Sequence, residues 1–307
     1  MRILKNILLK KYTTFKIGCK TRYFIQADNK NKLLEAIQWA KDRGIKFFII
    51  GGGSNVLFSD NGFDGLIIKN SWVEARKGKE AVFASSGAPM DFLVKFYTKN
   101  GFSGLEWAGG LPGTLGGAIR GDAGAFGGEI RESIISVESF NTNSNRVMMR
   151  SYKDCRFDYR DSIFKNNNDI ILSAELKFKI GDKKVIKDII NSHIIYRKTY
   201  QPLEYPSAGS FFKNIPVRDV SAKIKNKFIA VIKSDPFPVI PAAAVIDALG
   251  LKGLIVGGAQ VSEKHPNFII NKNNASCADA IKLMDLIKKS ALKKFGIEIQ
   301  EDVQIKC

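Results

Sequence analysis

Residues 101–128 read GFSGLEWAGGLPGTLGGAIRGDAGAFGG, and 11 of them are glycine, out of 27 glycines in the whole chain. Glycine loses more conformational freedom on folding than any other residue, so this density needs a structural reason. A flexible linker would be rich in serine and polar residues, whereas this stretch carries large apolar side chains at Leu105, Trp107, Leu111, Leu115, Ile119 and Phe126. Glycine also lets exposed main-chain N–H groups approach an anion closely. The stretch therefore predicts a buried, tightly turned bed for a ligand.

A second glycine cluster lies upstream, where the apolar residues 45–50 run into the sequence GGGSN at residues 51–55. A strand that enters three glycines can deliver main-chain N–H groups to a phosphate, and Ser54 and Asn55 add side-chain hydrogen-bonding groups. A plain tight turn is the alternative. Val56 stands where the G-x-G-x-x-G motif of dinucleotide-binding proteins needs its third glycine. The chain also contains no G-K-[ST], which a P-loop requires, and no G-x-S-x-G, the nucleophile motif of many hydrolases.

The composition is that of an ordinary globular protein, with 307 residues, 45% hydrophobic and 25% charged. The net charge of +18 is compatible with nucleic acid, an anionic membrane or a phosphorylated small molecule as partner. The lysines are scattered, and the dense run at residues 288–294 is typical of the solvated face of a helix. We therefore expect no nucleic-acid partner. The chain has no run of about 18 apolar residues, so we also expect no membrane span.

The cysteines at 19, 155, 277 and 307 lie far apart, and the chain has only two histidines. This pattern argues against a metal site or a disulfide framework and favours reduced thiols in the cytoplasm. Residues 1–10 are basic, and their apolar run is too short and too interrupted by lysine for a signal peptide.

Periodicity and turn residues predict an α+β chain. The expected strands lie at 23–27, 45–50, 66–69, 81–85, 134–140, 146–150, 170–180, 268–271 and 297–305, with residues 134–150 forming a hairpin. The expected helices lie at 29–43, 91–99, 184–200, 242–249 and 277–295. Ser276 is the expected N-cap of the last helix, with Asp279 three residues further on.

Motifs along nearly the whole chain resemble, in the same order, those of the UDP-N-acetylenolpyruvoylglucosamine reductase family. They are YTTFKIG (12–18), GGGSNVL (51–57), AGGLPGTLGGA (108–118), DAGAFGG (122–128), YRDSIF (159–164), QPLEYPSAGSFFKN (201–214), GAQVSEKH (258–265) and FGIEIQEDV (295–303). The stretch SAGSFFKN is the most specific of them. The chain lacks the tyrosine-bearing insertion and so is similar to the shorter type of the family.

The resemblance implies a two-part FAD-binding domain of the vanillyl-alcohol-oxidase-like (PCMH-type) fold plus a C-terminal α+β substrate-binding domain. The implied FAD-binding subdomains are residues 1–70, to which the terminal strand 297–307 returns, and residues 71–200; the substrate-binding domain is residues 201–296. The implied FAD-binding residues are Gly51, Gly52, Gly53, Ser54, Asn55, Gly109, Gly110, Pro112, Gly113, Thr114, Gly116, Gly117 and Ala123.

The family reaction transfers hydride from FAD, reduced by NADPH, to the enolpyruvyl ether of a UDP-sugar, with no metal, in a cytoplasmic monomer. The resemblance assigns the substrate carboxylate to Arg160, the proton to Ser210 and an acidic role to Asp302. From the residues alone, Arg160 could equally form an ion pair with Asp161 or Asp158, and Ser210 could be a turn residue. The family has glutamate at position 302, so the neighbouring Glu301 could take that role instead.

Substrate or NADPH phosphate contacts fall by resemblance on Arg197, Lys213, Asn214, Gln260 and Lys264, and also on His265, which could instead be a core histidine. Two positions depart from the family pattern: Cys19 replaces a glycine and Asp122 replaces an asparagine. Asp122 would need a cation such as Arg120 near the flavin phosphates, or would lower the flavin potential if it lay beside the ring. A flavin oxidase or dehydrogenase of the same fold with another substrate is the alternative function.

Overall fold

The structure of the chain is a computed structural model that describes residues 1–234 and 236–306. The strands are β1 Leu4–Leu8, β2 Lys20–Ala27, β3 Phe47–Ile50, β4 Val56–Phe58, β5 Phe63–Asn70, β6 Ala75–Lys77, β7 Ala81–Ser85, β8 Phe102–Ser103, β9 Gly124–Ala125, β10 Gly128–Glu129, β11 Ile134–Asn141, β12 Arg146–Ser151, β13 Asp169–Lys177, β14 Lys179–Ile180, β15 Ser207–Ser210, β16 Ile215–Pro216, β17 Val239–Ile240, β18 Ile255–Val256, β19 Ala259–Val261, β20 Phe268–Asn271 and β21 Gln304–Lys306. The α-helices are α1 Lys30–Lys41, α2 Met90–Asn100, α3 Leu115–Arg120, α4 Ile163–Asn166, α5 Lys183–Tyr200, α6 Ala222–Lys227, α7 Ala242–Ala248 and α8 Cys277–Phe295. Helices and strands thus alternate irregularly, as expected for an α+β chain.

The first of two compact units comprises residues 1–5, 22–52 and 64–197. One of its sheets has the strand order β1-β2-β5-β3, in which β3 runs parallel to β5 and Ile50 lies opposite Lys69. The other is a five-stranded sheet with the order β12-β11-β13-β7-β6. The first sheet packs with α1 (Leu33, Ile37) in one hydrophobic core, to which the five-stranded sheet adds Phe140 and Leu172. The five-stranded sheet also packs with α2 (Leu93) in a second core. The glycine-rich stretch lies against the second of these cores.

The second unit comprises residues 6–21, 53–63 and the described residues from 198 onward. Its four-stranded sheet has the order β15-β20-β19-β18, and β21 pairs in parallel with β4. Helix α8 buries Leu283, Met284 and Ile287 in a single core that also contains Phe211. The parallel pairing of β21 with β4 places residues 304–306 beside residues 56–58.

Most predicted elements are present, including the β11–β12 hairpin and α8 with its Ser276–Asp279 capping box. Two predicted strands are wrong in extent. The expected strand 170–180 is interrupted at Phe178, and β14 pairs with β8 instead of continuing β13. The expected strand 297–305 is reduced to β21 because residues 300–303 make only scattered main-chain hydrogen bonds with residues 211–213.

Helix α3, a short helix inside the glycine-rich stretch, is not among the predicted elements. The predicted domain boundaries at residues 70, 200 and 296 stay a prediction. Cys307, the last residue of the returning segment predicted at 297–307, lies outside the described residues. No helix in the described part of the chain is long and apolar enough to cross a membrane.

Candidate active site

Two glycine loops of the first unit lie in direct contact. A Cβ atom added to Gly51 would lie 2.1 Å from Oγ1 of Thr114, and one added to Gly52 would lie 2.8 Å from Cα of Gly113. No real Cβ reaches such distances, so glycine is required at both positions for the loops to approach each other. The triple glycine and the glycine-rich stretch, which are far apart in the sequence, therefore meet in the fold.

The second loop is fixed by main-chain hydrogen bonds to the first residue of α2 and to the segment before it. The N–H of Met90 donates to the carbonyl of Gly113 at 3.0 Å, and the N–H of Gly116 donates to the carbonyl of Ser86 at 2.8 Å. Leu115 and Ile119 of α3 are buried in the adjoining core. The apolar side chains of the stretch thus anchor it, while Gly110 and Gly117 remain exposed.

The expectation that the stretch is buried is correct for its core-facing side chains and wrong for others. Phe126 is 38% exposed, and Gly110, Pro112 and Gly117 are exposed as well. Among the predicted FAD-binding residues, those in the first unit are Gly51, Gly52, Gly109, Gly110, Pro112, Gly113, Thr114, Gly116, Gly117 and Ala123, and those in the second unit are Gly53, Ser54 and Asn55.

A cavity of about 450 Å³ opens between these loops within the first unit. One group of lining residues lies in the predicted glycine motifs: Gly52, Gly110, Leu111, Pro112, Gly113 and Thr114. A second group lies outside them: Lys69, Asn70, Ser71, Val73, Gly87, Pro89 and Asp91. The sequence pattern did not indicate this second group, because nothing in residues 69–73 differs from the end of an ordinary strand. The position of Lys69 at the end of β5 follows from the parallel pairing of β5 with β3.

Arg160 is held over residues 122–124 of the glycine-rich stretch. Its Nη1 donates to the carbonyl of Asp122 at 3.0 Å, and its Nη2 donates to the carbonyl of Gly124 at 2.8 Å. The carboxylates of Asp158 and Asp161, the alternative ion-pair partners, accept hydrogen bonds from the main-chain N–H groups of the residues that follow them. Two carbonyl contacts fix the plane of the guanidinium, as binding of a planar carboxylate requires.

Asp122 is fully buried, at 0% exposure, and its Oδ2 lies 3.2 Å from Nε of Arg131. Arg131 also pairs with Glu129. Burial raises the pKa of Asp122 to about 7, because the partial compensation by Arg131 is opposed by the nearby Glu129. The cation that Asp122 requires is therefore Arg131, a partner that neither sequence alternative named; Arg120 instead lies near Asp161.

Arg197 is a buried cation at the edge of the first unit. It is 7% exposed, its Nε donates to the carbonyl of Gly109 at 2.9 Å, and its guanidinium lies 5.1 Å from the ring of Phe126. Its Nη2 has no hydrogen-bond partner among the described residues, and burial lowers its pKa to about 10. A buried guanidinium with an unused donor suits an anionic ligand.

Ser210 ends β15 in the second unit, directly after Gly209, whose φ of +77° glycine adopts readily. The next residues pair with the acidic segment near the end of the chain: the N–H of Asp302 donates to the carbonyl of Phe211 at 2.8 Å, and Phe212 forms a bridge with Glu301. Asn55 adds a side-chain bond from its Nδ2 to the carbonyl of Asp302 at 3.0 Å. Ser210, Asn55 and Asp302, distant in sequence, are thus neighbours along the backbone of this unit.

Glu301 forms an ion pair with Lys288 of α8, with 2.6 Å between Oε1 and Nζ. Burial would raise the pKa of Glu301, but the hydrogen bond and charge of Lys288 outweigh it, so that the pKa lies below its usual value. In extended backbone the next side chain, that of Asp302, points to the opposite side. The carboxylate of Glu301 is therefore held by its ion pair with α8.

Several predicted substrate-binding residues of the second unit have structural partners. Asn214 accepts a hydrogen bond from the N–H of Ala242 at the start of α7, the buried Gln260 donates to the carbonyl of Gly253, and Nζ of Lys264 donates to the carbonyl of Lys198. The side chain of Lys213 makes no hydrogen bond with a described residue. His265 packs edge-on against Phe268, its Nδ1 lacks a described partner, and burial lowers its pKa.

Asn267 is a further residue that the sequence did not single out. It is buried and holds Phe212 on both sides, because its Oδ1 accepts from the N–H of Phe212 at 3.1 Å and its Nδ2 donates to the carbonyl of Phe212 at 2.9 Å. The carbonyl of Asn267 also accepts from the N–H of Phe211 at 2.8 Å. Asn267 thus fixes the backbone directly after Ser210.

Comparison with known proteins identifies both parts of the chain. Residues 21–147 match the family model of a FAD binding domain, and residues 201–306 match that of the UDP-N-acetylenolpyruvoylglucosamine reductase C-terminal domain. A UDP-N-acetylenolpyruvoylglucosamine reductase from Caldicellulosiruptor bescii is 37% identical over 99% of this chain and 90% of its own length. The chain belongs to the UDP-N-acetylenolpyruvoylglucosamine reductase family.

Other members of the reductase family match over similar lengths. The reductase from Chlamydia felis is 33% identical over 99% of this chain and 94% of its own length. The crystal structure of the reductase from Thermus caldophilus has a TM-score of 0.79, with 26% identity and complete coverage of both chains. The family, the α+β class and the FAD-binding domain predicted from the sequence are therefore confirmed.

The residues of the first unit fit FAD. Gly52, where a Cβ would collide with Gly113, brings bare main chain to the cavity, and Lys69 adds a cation. These residues lie within the matched FAD-binding domain or beside its glycine loops. Exposed N–H groups and a cation are the chemistry that a pyrophosphate needs. Among the described residues, no cluster of His, Cys, Asp or Glu could hold a metal ion.

Proposed function

We propose that this protein is a flavoenzyme that reduces the enolpyruvyl ether of UDP-N-acetylglucosamine-enolpyruvate to UDP-N-acetylmuramate in peptidoglycan synthesis. The observation that carries this proposal is the joint presence of a FAD-binding domain and the reductase C-terminal domain in one chain, with relatives of that name matched over nearly their full lengths. FAD, reduced by NADPH, supplies the hydride when bound.

Arg160 would bind the carboxylate of the enolpyruvyl group. Addition of hydride to the terminal carbon places enolate-like negative charge on the carbon beside that carboxylate. A guanidinium whose plane is fixed by the carbonyls of Asp122 and Gly124 is preorganised to stabilise this charge. Arg197, with an unused Nη2, would hold a phosphate of the substrate or of NADPH.

Ser210 would donate the proton to the carbon that carries the developing charge. Its hydroxyl makes no hydrogen bond to a described residue, and the two hydrogen bonds between Asn267 and Phe212 hold the backbone that follows it. A serine hydroxyl is a weak acid, so its proton transfer depends on precise positioning by its neighbours. For the separate acidic role that the resemblance assigns to position 302 we propose Asp302, since Glu301 is paired with Lys288.

The test is optical. The purified protein should be yellow, NADPH should bleach the flavin under anaerobic conditions, and addition of the enolpyruvyl substrate should restore the colour with formation of UDP-N-acetylmuramate. Ser210→Ala should still be bleached by NADPH but should regain colour at least about 100-fold more slowly. Bleaching of the variant at the wild-type rate is the internal control for folding and FAD binding.

Protein that takes up no FAD on reconstitution would contradict the proposal. Reduction of the flavin by an alcohol or hydroxy acid, together with no response to the enolpyruvyl ether, would support the alternative oxidase or dehydrogenase. Bleaching by NADPH and NADH in parallel experiments would establish the preferred reductant. A monomeric state and a cytoplasmic location stay predictions.

A further inference from the structure

Lys69 is the cation of the cavity in the first unit. It lies at the carboxyl end of β5, opposite Ile50 in the parallel β3–β5 pair, and therefore beside the start of the triple glycine. Its Nζ donates to the carbonyl of Gly51. The same cavity is lined by Gly52, Gly113 and Thr114. The carboxyl ends of neighbouring parallel strands are where α/β sheets bind their ligands.

The side chain of Lys69 is half-buried and has no anionic partner in the part of the chain that the structure describes. The carboxylate in the cavity wall, that of Asp91, is paired with Lys95 at 3.0 Å, and no carboxylate among the described residues pairs with Lys69. An ammonium has three N–H donors, and the Gly51 carbonyl uses one. Burial of a cation without a counter-ion is unfavourable. This is also the reason that burial lowers the pKa of Lys69. A bound anion would remove the penalty.

We propose that Lys69 binds the pyrophosphate of FAD, adding a full positive charge to the main-chain N–H groups of the glycine loops. This inference rests on the proposed function only in taking FAD as the cofactor. The diphosphate of the UDP-sugar is a less suitable occupant, because every wall of the cavity lies within residues 52–114, inside the matched FAD-binding domain. The pattern of residues 66–70 is that of a strand and gave no sign of this role.

Lys69→Met removes the charge and keeps an unbranched apolar side chain. Apoprotein of the full chain is titrated with FAD, with ADP as a probe that has the diphosphate but no flavin ring, and with riboflavin as a probe that has the ring but no phosphate. The Kd for FAD and for ADP should rise about 10- to 100-fold, since charge-assisted hydrogen bonds are lost. The Kd for riboflavin should stay within about twofold.

The control variants separate charge from structure. Lys69→Arg should keep the FAD affinity within about threefold, because the charge is restored. Lys79→Met removes an exposed lysine between β6 and β7 of the same unit and should bind FAD as the wild type does. The salt dependence of FAD affinity should be shallower in Lys69→Met than in either control, because one screened charge is absent.

Equal FAD affinity of Lys69→Met and wild type would overturn the inference, as would equal weakening of FAD and riboflavin, which would indicate a collapsed site. If urea unfolding shows that Lys69→Met is unfolded, Lys69→Gln is compared in the same three titrations and judged by the same outcomes. Wild-type apoprotein that binds no FAD would instead contradict the proposed function itself.

Discussion

At the scale of single residues, Asp122 is the position in the glycine-rich stretch where the family resemblance predicts an asparagine. Its carboxylate is fully buried, while its carbonyl holds Arg160. An asparagine there could accept the same hydrogen bond from the N–H of Arg131 without the cost of burying a charge. The departure therefore adds an ionisable group directly behind the proposed carboxylate-binding arginine.

Asp122→Asn should change how stability depends on pH. The pKa of Asp122 is about 7 in the fold and roughly 4 when unfolded, so the folded state favours the protonated form. The stabilisation by this proton is fully present below pH about 4 and is lost as the pH rises to about 7. The wild type should therefore lose up to about 4 kcal/mol over this window, and the asparagine variant should not.

Urea unfolding of the apoproteins at several pH values between 4 and 8 measures this difference. Asp64→Asn, which alters an exposed ion pair with Arg22, should shift stability by less than about 1 kcal/mol and leave the pH slope unchanged. Parallel pH curves for the wild type and Asp122→Asn would show that Asp122 ionises normally in the fold.

The neighbouring acids at 301 and 302 should differ in catalysis. Asp302→Asn should slow reoxidation of the flavin by the enolpyruvyl substrate by about 100-fold or more, because a misplaced or missing acidic group is costly in a positioned site. Glu301→Gln should slow it only a few-fold, since Glu301 is paired with Lys288. Stopped-flow absorbance of the second half-reaction provides the measurement; the reverse order of effects would assign the role to Glu301.

At the scale of elements, α8 shows how a sequence signal and a tertiary contact act on the same helix end. Ser276 accepts from the N–H of Asp279 at 3.0 Å, and Asp279 accepts from the N–H of Ser276, as the capping pattern predicted. Asp60, distant in sequence, accepts hydrogen bonds from Cys277 and Ala278 at the same helix end. The capping box is local and readable, whereas the contribution of Asp60 depends on the fold.

Ser276→Ala should lower the free energy of unfolding by about 1 kcal/mol, the usual cost of losing an N-cap. Ser192→Ala provides a matched control on α5, where the hydroxyl donates to the carbonyl of Ile189 inside an exposed part of the helix. That change should be within about 0.5 kcal/mol of neutral. Equal effects of the two substitutions in urea unfolding would show that Asp60 alone sustains the end of α8.

The contact of the two glycine loops gives a second prediction at this scale. Gly52→Ala should weaken FAD binding about tenfold or more, because its Cβ would lie 2.8 Å from Cα of Gly113 and force the loops apart. Gly121→Ala, where the nearest atom is the carbonyl oxygen of Gly117 at 3.6 Å, should retain wild-type affinity. Fluorescence titration of apoprotein with FAD distinguishes them, and equal affinities would contradict a close approach of the loops.

At the scale of the whole molecule, FAD binding should be linked to stability. A ligand that binds only the folded state stabilises it by roughly 2.7 kcal/mol at a free concentration of 100 times Kd. Removal of FAD should therefore lower the urea midpoint, and restored FAD should recover it. Riboflavin at the same concentration should recover less, because the pyrophosphate contacts are absent; full recovery by riboflavin would contradict a pyrophosphate site in the glycine loops.

The net charge of +18 is also a property of the whole molecule, and it does not by itself indicate a nucleic-acid partner. Many cations have individual partners: Lys30 pairs with Glu138, Arg131 with Glu129 and Lys288 with Glu301. Others, such as Arg197 and Lys69, are buried or half-buried in the first unit at proposed anion sites. The buried positive charges are therefore better explained by binding of phosphorylated small molecules than by binding of nucleic acid.

The sequence by itself determined the elements whose signals are local. The hairpin at 134–151, α8 and the glycine positions follow from periodicity, capping and turn chemistry, because those depend on residues a few positions apart. The motifs also led to the family, since they occur in order along nearly the whole chain. Helix α3 could not be predicted from local signals, because the glycines at 116 and 117 are poor helix formers. It is stabilised by tertiary hydrogen bonds such as that from the N–H of Gly116 to the carbonyl of Ser86.

Only the tertiary structure decided which side chains become partners. Arg131 rather than Arg120 pairs with Asp122, Lys288 pairs with Glu301, and Lys69 lies in the cavity of the glycine loops. The position of Lys69 depends on strand pairing and loop contact between residues distant in sequence. Arg131 and Lys288 are only 9 and 13 residues from their partners, and the turns of the chain between them bring each pair together. A pattern of residue types sets which charges need a partner, but the burial and geometry of the fold set which partner they receive.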